Sequence, residues 1–532
     1  MNAVPSWLAA RVAWQKWILI LLAGGGVTLA LPPIYAVPVL WLSFPLIILM
    51  LDQAERLRTV IWLGWLFGAG HMLTGLYWVG NALEIAGAPP QLAVLLPLSM
   101  AFYPAAVGAL YWYASRWLVA RGWLSLMSVQ AGFLFAVCWL AGEWLRGNLF
   151  TGFPWNLVGY SWAFSDVMSQ AVSLFGTYGL SLLTVFIAVL PLTLINRPAK
   201  SLSTWGGLVM ALALLAVQFG FGYGRLADAG PTQFHDIRVR LVQTNIQQKD
   251  KWRPDLRTEN FVKHLMLSER PGGKDIDLLV WPETAVPYYL DEDPYRTVMM
   301  GRIIKPGGFI VTGVPRREIL PDRSRRFFNS LLVIGADGAV RDTFDKFHLV
   351  PFGEYVPFHD LLKKLGIEKL VEGAGDFSPG QGLQSINLSG LASMSPLICY
   401  EVIFPGQVIP EGPRPDFIMN VTNDAWYGRS SGPYQHLMIT RFRAIEEGLP
   451  VLRAAGTGIS AIIDAHGRVV QKLGLHKAGI VDGMLPQAVV VTPLFGVWGN
   501  AIVLVFALLL GLLVVLVGRF STVNSPRTER VA

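Results

Sequence analysis

The chain has 532 residues, of which 53% are hydrophobic and 15% are charged. This balance excludes an ordinary soluble globular protein and indicates an integral membrane protein. The formal net charge is +7, with 43 Lys and Arg residues against 36 Asp and Glu residues. The sequence has no basic patch interleaved with aromatic residues, so we expect no nucleic-acid partner.

Apolar residues are concentrated in two parts of the chain. From Trp17 to about Tyr223 nearly every segment is apolar, and a last apolar run covers residues 497–517. The stretch between them, of about 250 residues, has the charge density of a globular domain and is long enough for a complete core. We predict a membrane domain over residues 1–228, a globular domain over 229–490, a closing membrane helix over 491–520 and a polar tail over 521–532.

Eight apolar segments are candidates for membrane-spanning helices, since a bilayer core takes about 20 apolar residues per helix. The first two must be short, because Pro32, Pro33 and Pro38 leave little room for a connection between them. The eight segments lie near residues 17–32, 35–51, 58–80, 92–115, 124–145, 167–195, 203–223 and 497–518.

The basic residues predict the orientation of these helices, because Lys and Arg gather at cytoplasmic ends. The alternate connections 81–91 and 146–166 contain only one basic residue, Arg146. We therefore expect both termini in the cytoplasm and, after seven crossings, the globular domain on the opposite side. The basic residues of the other connections and ends are Arg11, Lys16, Arg56, Arg58, Arg116, Arg121, Arg197, Lys200, Arg519, Arg527 and Arg530.

The globular domain alternates short β-rich runs with helical segments, a pattern that favours an α/β sandwich with buried sheets. Helices are predicted at residues 258–268 and 433–447. Strands are predicted at residues 237–244, 277–281, 308–314, 328–334, 394–398, 416–421, 452–463 and 468–473.

The two cysteines of the chain give no disulfide framework. Cys138 lies within a predicted span, where a small side chain serves packing. Cys399 ends an apolar strand outside the cytosol, where a lone thiol is a liability unless it is used. Cys399 is therefore a candidate nucleophile.

Three strand ends or following turns carry residues with catalytic chemistry, at the position where open α/β sheets place their catalytic groups. They are Glu283, Lys346 and Cys399. Taken alone, the carboxylate is more often a cap, the lysine a solvated charge and the cysteine packing. Together, with Glu354 eight residues past the lysine, they support one another as a constellation.

These residues and their neighbours resemble the Glu-Lys-Cys triad of the nitrilase superfamily. The matching stretches are Trp281-Pro282-Glu283, the run from Asp345-Lys346 to Glu354-Tyr355, and Cys399-Tyr400-Glu401. With seven spans before the globular domain and one after it, nearly the whole chain resembles the apolipoprotein N-acyltransferase family.

The resemblance implies an eight-helix membrane domain with an extramembrane, nitrilase-like αββα sandwich. It also implies a bacterial inner-membrane enzyme whose catalytic domain is periplasmic. Its partners would be a phospholipid acyl donor, a diacylated apolipoprotein acceptor and the bilayer. A fatty acyl chain would pass through a cysteine thioester to the lipoprotein's N-terminal amine. The histidines are scattered without ligand spacing, so we expect no metal and no cofactor.

The resemblance also implies residue roles. Glu283 would be the general base, and Lys346 would lower the pKa of the Cys399 thiol and stabilise the oxyanion. Glu354 would hold Lys346 or tune Glu283, and the backbone N–H of Tyr400 would help to stabilise the oxyanion. The family match adds Glu401 and Trp252.

Two other classes of protein remain as alternatives. A membrane-tethered nitrilase-type amidase would share the triad but would need one anchor rather than eight spans. A transporter or receptor would not need Cys399 and would pair charged residues along a pore.

Overall fold

The computed structural model describes residue 8 and residues 10–195, 202–351, 353–355 and 377–523. The chain divides into two compact units. The first lies within residues 1–77, 94–225 and 498–532, and the second within residues 78–93 and 226–497. Residues 524–532 of the predicted polar tail lie outside the described residues.

The first unit is helical, as its uninterrupted apolar runs predict. Its interior holds an aromatic cluster of Phe44, Phe67, Phe135 and Trp139, in which the Phe44 and Trp139 ring centroids are 4.9 Å apart. The helices that lie wholly or mostly in this unit are Ala13–Leu29, Leu40–Gln53, Leu57–Gly75, Leu92–Met100, Phe102–Ala120, Val129–Asn148, Asp166–Ser169, Val172–Val189, Leu202–Ala229 and Ala501–Val523.

Only some of these helices are long and apolar enough to cross a membrane as single helices. Among the described residues, Leu92–Ala120, Val172–Leu194 and Trp205–Ala229 are long and apolar enough. The helix pair Leu57–Gly75 and Val79–Ile85 would supply a fourth span if both belong to one crossing. The eight spans therefore stay a prediction. Shorter apolar helices cover Ala13–Leu29, Val37–Gln53 and Ala501–Leu516.

The second unit contains two six-stranded sheets. The first sheet has the order β12-β1-β2-β3-β4-β5, and the second has the order β11-β10-β9-β8-β7-β6. The strands are β1 (Phe234–Gln243), β2 (Leu278–Val280), β3 (Phe309–Ile319), β4 (Arg325–Gly335), β5 (Val340–Asp345), β6 (Ile386–Leu388), β7 (Ala392–Ile398), β8 (Phe417–Thr422), β9 (Val451–Ala455), β10 (Ser460–Ile463), β11 (Val469–Leu473) and β12 (Gly479–Pro486).

The two sheets pack face to face, with a helical layer outside each. Leu241 and Val333 of the first sheet share one buried core with Met394 and Val421 of the second. Another core lies between the first sheet and helices such as Arg257–Ser268. Helix Gly432–Glu447 contacts β9 of the second sheet. The order is thus helix, sheet, sheet, helix, which agrees with the expected sandwich.

Parallel pairing at the centre of each sheet brings strand ends to one edge. In the first sheet β2 is parallel to β1 and β3, and in the second β8 is parallel to β7 and β9. The strands that lead into Glu283 and Cys399 therefore belong to the parallel centres of their sheets.

One strand prediction is wrong, and three strands are missed. The run predicted at 452–463 is two antiparallel strands, β9 and β10. Gly456 and Gly458 lie in the turn between them, since glycine suits a tight turn. The sequence did not predict β5, β6 or β12.

The first sheet depends on a buried arginine. All five N–H groups of Arg240 are used: the side chain forms two bonds to Asp482 at 2.7 and 2.8 Å and one to each of three carbonyls, at Ser268, Arg270 and Pro271. This side chain is fully buried. It joins β1 to β12 and to the turn before β2.

We expect Arg240→Met to lower the free energy of unfolding by about 3 kcal/mol, because it leaves three buried carbonyls without their donor. The matched control is Arg238→Met on the same strand, where the side chain is 56% exposed and lies 3.8 Å from Asp275. The control should change stability by less than about 0.5 kcal/mol. Thermal unfolding of the two purified variants measures the difference, and equal melting temperatures would contradict this assignment.

Candidate active site

Glu283 follows β2 in a tightly packed turn. The Lys251 ammonium donates to the Glu283 backbone carbonyl at 2.9 Å, and Thr284 has a positive φ of 44°. Gly313 of β3 lies directly against this turn, because a Cβ on it would be 2.5 Å from the Glu283 Cα atom. Only glycine allows this close approach, so the backbone position of Glu283 is tightly fixed.

Lys346 follows β5 and is buried between two carboxylates. Its backbone N–H donates to the Asn329 carbonyl at 2.8 Å, and its side chain is 1% exposed. The ammonium lies 2.9 Å from Glu354 and 3.8 Å from Glu283. Burial opposes its charge, but Glu354 and then Glu283 outweigh burial and raise the pKa of Lys346. The lysine is therefore a permanent cation.

Asn329 of β4 links the same two carboxylates. Its side-chain amide donates to Glu283 Oε1 and to Glu354 Oε1, both at 2.8 Å. Glu283 Oε2 is buried and has no hydrogen-bond partner among the described residues. The amide and the lysine thus hold one oxygen of Glu283 and leave the other available to take a proton.

Cys399 begins a five-residue 3₁₀ turn, Cys399–Ile403, directly after β7. Its φ is +55°, a left-handed conformation that non-glycine residues adopt rarely. Burial and then Glu283 raise the pKa of the Cys399 thiol to about 12, against the opposing effects of Lys346 and a hydrogen bond with the Thr422 hydroxyl. Lys346 lowers this pKa as expected, but the effect of burial is larger. The resting group is therefore a thiol, and its deprotonation requires a base.

Glu401 ties the lysine segment to the cysteine strand. Its Oε1 accepts from the backbone N–H groups of Phe347 and His348, at 2.8 and 3.1 Å, and its Oε2 accepts from Ile398 at 2.7 Å. Burial raises the pKa of Glu401 to about 7, although these bonds and Lys346 favour the carboxylate. One side chain therefore fixes the spacing between the two segments.

The other two supporting residues lie in different surroundings. Tyr400 is buried, and its ring packs against His348 and Phe404 with centroid distances of 5.7 and 5.2 Å. Trp252 is 40% exposed at the end of the short helix Gln248–Lys251. It is the neighbouring Lys251 that reaches the Glu283 turn.

The structure thus brings Glu283, Lys346, Glu354, Cys399 and Glu401 into one buried cluster. Sequence reasoning missed Asn329, which lies next to Ser330 between apolar residues of β4. The described residues include no group of three or more His, Cys, Asp or Glu side chains that could hold a metal ion.

Comparisons with known proteins match both units. A family model described as Carbon-nitrogen hydrolase matches residues 238–492, and one described as Apolipoprotein N-acyltransferase N-terminal domain matches residues 23–190. The apolipoprotein N-acyltransferase of Rhodopseudomonas palustris is 38% identical over 509 residues, which cover 92% of this chain and 93% of the relative. That of Brucella melitensis biotype 1 is 37% identical over 500 residues, covering 90% and 92%.

A solved structure matches about half of this chain. The amidase from Nesterenkonia sp. AN1 is 18% identical, with a TM-score of 0.34. The match covers 48% of this chain and 93% of the amidase.

The raised pKa of Glu401 predicts a pH-dependent stability. A carboxyl whose pKa rises on folding from 4.5 to about 7 stabilises the fold below pH 4.5, and this contribution is lost as the pH rises through 7. The gap corresponds to about 3 kcal/mol. We expect the melting temperature of the unsubstituted chain to fall, relative to Glu401→Gln, between pH 4.5 and 7.5.

The exposed Glu411 offers the matched control. Glu411→Gln should follow the unsubstituted chain at every pH in a thermal unfolding series. A constant difference between the unsubstituted chain and Glu401→Gln across this pH range would contradict the prediction.

Proposed function

Because the chain belongs to the apolipoprotein N-acyltransferase family, we propose that it moves a fatty acyl chain from a membrane phospholipid to the N-terminal α-amino group of an S-diacylglyceryl-cysteine lipoprotein. The transfer passes through a thioester on Cys399. The observation that carries this proposal is the buried cluster in which Lys346 lies 3.8 Å from Glu283 and both act electrostatically on the Cys399 thiol.

In the first half of the reaction, Cys399 Sγ attacks the ester carbonyl of the phospholipid. Glu283 takes the thiol proton as the S–C bond forms, which is necessary because the buried thiol has its pKa raised to about 12. The C–O bond then breaks, and Glu283 returns the proton to the departing lysophospholipid alcohol. The products are a thioester and a lysophospholipid.

In the second half, the lipoprotein's neutral α-amine attacks the thioester carbonyl. Glu283 accepts a proton from the nitrogen as the N–C bond forms, and the C–S bond breaks. The proton then passes to Cys399, which restores the thiol. An amide replaces an ester, and no outside oxidant or energy source is needed.

Both halves pass through a tetrahedral oxyanion beside the cysteine. Lys346 supplies the positive charge for it, and the Tyr400 backbone N–H supplies a donor. One such donor typically contributes about 100- to 1000-fold in rate. Glu354 contributes through Lys346, which it holds at 2.9 Å, and Glu401 contributes through the spacing of the two segments. We propose that Trp252 meets acyl chains at the membrane surface, since aromatic side chains favour that region.

We also propose eight spans, cytoplasmic termini and a periplasmic catalytic domain over residues 229–490. The distribution of basic residues supports this orientation. Arg146, the one basic residue in the two other connections, is buried and donates to the Phe153 carbonyl at 2.9 Å. Residues 78–93 connect the third and fourth predicted spans and group with the second unit, as expected if both lie on one side of the bilayer.

We expect Cys399→Ala to abolish N-acylation of a diacylated lipopeptide, because it removes the sulfur atom that forms the proposed thioester. The matched control is Cys138→Ala, which removes the other buried thiol and should keep the activity. Mass spectrometry of the lipopeptide after incubation with phospholipid and enzyme measures the transfer. Undiminished transfer by Cys399→Ala would overturn the thioester route. If the unsubstituted enzyme hydrolyses small amides and does not acylate the lipopeptide, the protein is an amidase.

We expect Asn329→Ala to lower kcat/KM for the same lipopeptide by about 10- to 100-fold, since a hydrogen bond to a charged group contributes about 1.5–3 kcal/mol. Without the shared amide, Glu283 and Glu354 repel each other and the base loses its orientation. Asn387→Ala, at an exposed position on β6, is the matched control. Equal kcat/KM values for the two folded variants would show that Asn329 does not orient the base.

A further inference from the structure

The backbone of Cys399 must be held in place by its surroundings. A left-handed non-glycine residue is strained and persists only where neighbouring contacts fix it. Within its own segment, Cys399 belongs to a single short 3₁₀ turn. Contacts from other elements must therefore hold this turn.

His436 makes such a contact from helix Gly432–Glu447. Its side chain is fully buried, and its Nε2 atom lies 3.3 Å from the Cys399 carbonyl oxygen. The Tyr427 ring packs against the imidazole with a centroid distance of 5.8 Å. The helix therefore reaches the nucleophile's backbone through one side chain.

The opposite edge of the imidazole is held by a buried ion pair. His436 Nδ1 lies 2.9 Å from Asp424 Oδ1 and 3.1 Å from the Arg453 guanidinium, which also donates to Asp424 Oδ2 at 2.8 Å. All three side chains are fully buried. Gly458 makes room for the carboxylate, because a Cβ there would lie 2.2 Å from Asp424 Oδ2.

These partners decide which imidazole nitrogen carries the proton. With a proton on Nδ1 alone, a lone pair on Nε2 would face the lone pairs of the Cys399 carbonyl. With a proton on Nε2 alone, the Cys399 carbonyl accepts from Nε2 and Arg453 donates to Nδ1, but the Nδ1 lone pair also faces Asp424 Oδ1 at 2.9 Å. An imidazolium donates from Nε2 to the Cys399 carbonyl and from Nδ1 to Asp424. The Cys399 carbonyl therefore accepts from His436 in each state that has a proton on Nε2.

The same network reaches the thiol itself. The Thr422 hydroxyl donates to Asp424 Oδ1 at 3.1 Å and forms a hydrogen bond with the Cys399 thiol. Burial, reinforced by Arg453, lowers the pKa of His436, whereas Arg453 and His436 outweigh burial and lower the pKa of Asp424 to about 2.

The structure assigns His436 as a positioning residue for the nucleophile: its Nε2–H holds the Cys399 carbonyl, while Asp424 and Arg453 fix the ring. This assignment rests on the proposed function, in which Cys399 carries the acyl chain. His436 touches no reacting atom. It acts by keeping the Cys399 turn in the geometry that presents the thiol to Glu283 and Lys346.

Two amide substitutions separate this role from simple packing. In His436→Gln the side-chain amide lies near the former Nε2 position, so it donates to Cys399 but loses the Asp424 contact. In His436→Asn the amide lies near the former Nδ1 position, so it keeps Asp424 but cannot reach Cys399. His235→Asn, at a partly exposed site on β1, controls for the substitution.

The measurement is the single-turnover rate of thioester formation on Cys399 at saturating phospholipid, followed by intact-protein mass spectrometry in a Cys138→Ala background. We expect His436→Asn to lower this rate by about 100-fold, the usual effect of misplacing a reacting group by about 1 Å. His436→Gln should recover most of that loss. The phospholipid concentration at half-saturation should change little in either variant.

A second readout is the pH dependence of Cys399 alkylation by iodoacetamide. We expect the profile to move to higher pH in His436→Asn, because the displaced thiol lies farther from the Lys346 charge. The profile of His436→Gln should stay near that of the Cys138→Ala parent.

Equal acylation rates in the two folded variants, or a slower rate in Gln than in Asn, would overturn the assignment. If the Asn variant does not fold, His436→Gln decides alone: a near-normal rate supports the carbonyl contact, and a lost rate with an intact melting transition overturns it. Failure of the proposed function is distinguishable, because the parent itself would then form no thioester.

Discussion

A buried lysine shared by two carboxylates is the interaction on which the site depends. Taking an ammonium and two carboxylates out of water costs several kcal/mol per charge, and only close pairing offsets that cost. Lys346 meets this condition with Glu354 at 2.9 Å and Glu283 at 3.8 Å. Asn329 donates to the same two carboxylates, so the lysine and the amide together hold both of them. Glu283, the proposed base, is therefore fixed before any substrate arrives.

Burial has a second consequence for the nucleophile. The same exclusion of water that strengthens the Lys346 pairs raises the pKa of Cys399 to about 12. In the proposed mechanism the thiolate therefore forms only as Glu283 takes the proton. This coupling suits an acyl transfer in a membrane enzyme. A permanently charged thiolate would be open to oxidation, and a wet site would lose the thioester to hydrolysis. Nucleophile activation is thus linked to the presence of an acyl group.

The sequence predicts the strand ends well and the contacts between them poorly. Glu283 and Cys399 could be identified because each follows an apolar run, and a run that stops at a polar residue is visible along the chain. Lys346 follows a mostly polar run and could be identified by the matching stretch around it. Asn329 could not be, since its role comes from the register that sets it opposite Lys346 on the neighbouring strand. His436 and Arg453 look like ordinary polar residues in a helix and a strand, and only the fold brings them to the Cys399 turn.

The eight apolar segments are also visible in the sequence. Hydropathy does not give the lengths of the helices, however, and several of the observed helices are short.

Trapping the acyl-enzyme would show whether Cys399 carries the acyl chain between two substrates. Purified enzyme would be incubated with phospholipid alone, and its intact mass would be measured before and after adding hydroxylamine or a diacylated lipopeptide. We predict one added acyl mass on Cys399, released by either reagent. Acyl transfer to the lipopeptide without any mass on Cys399 at any time point would rule out the thioester.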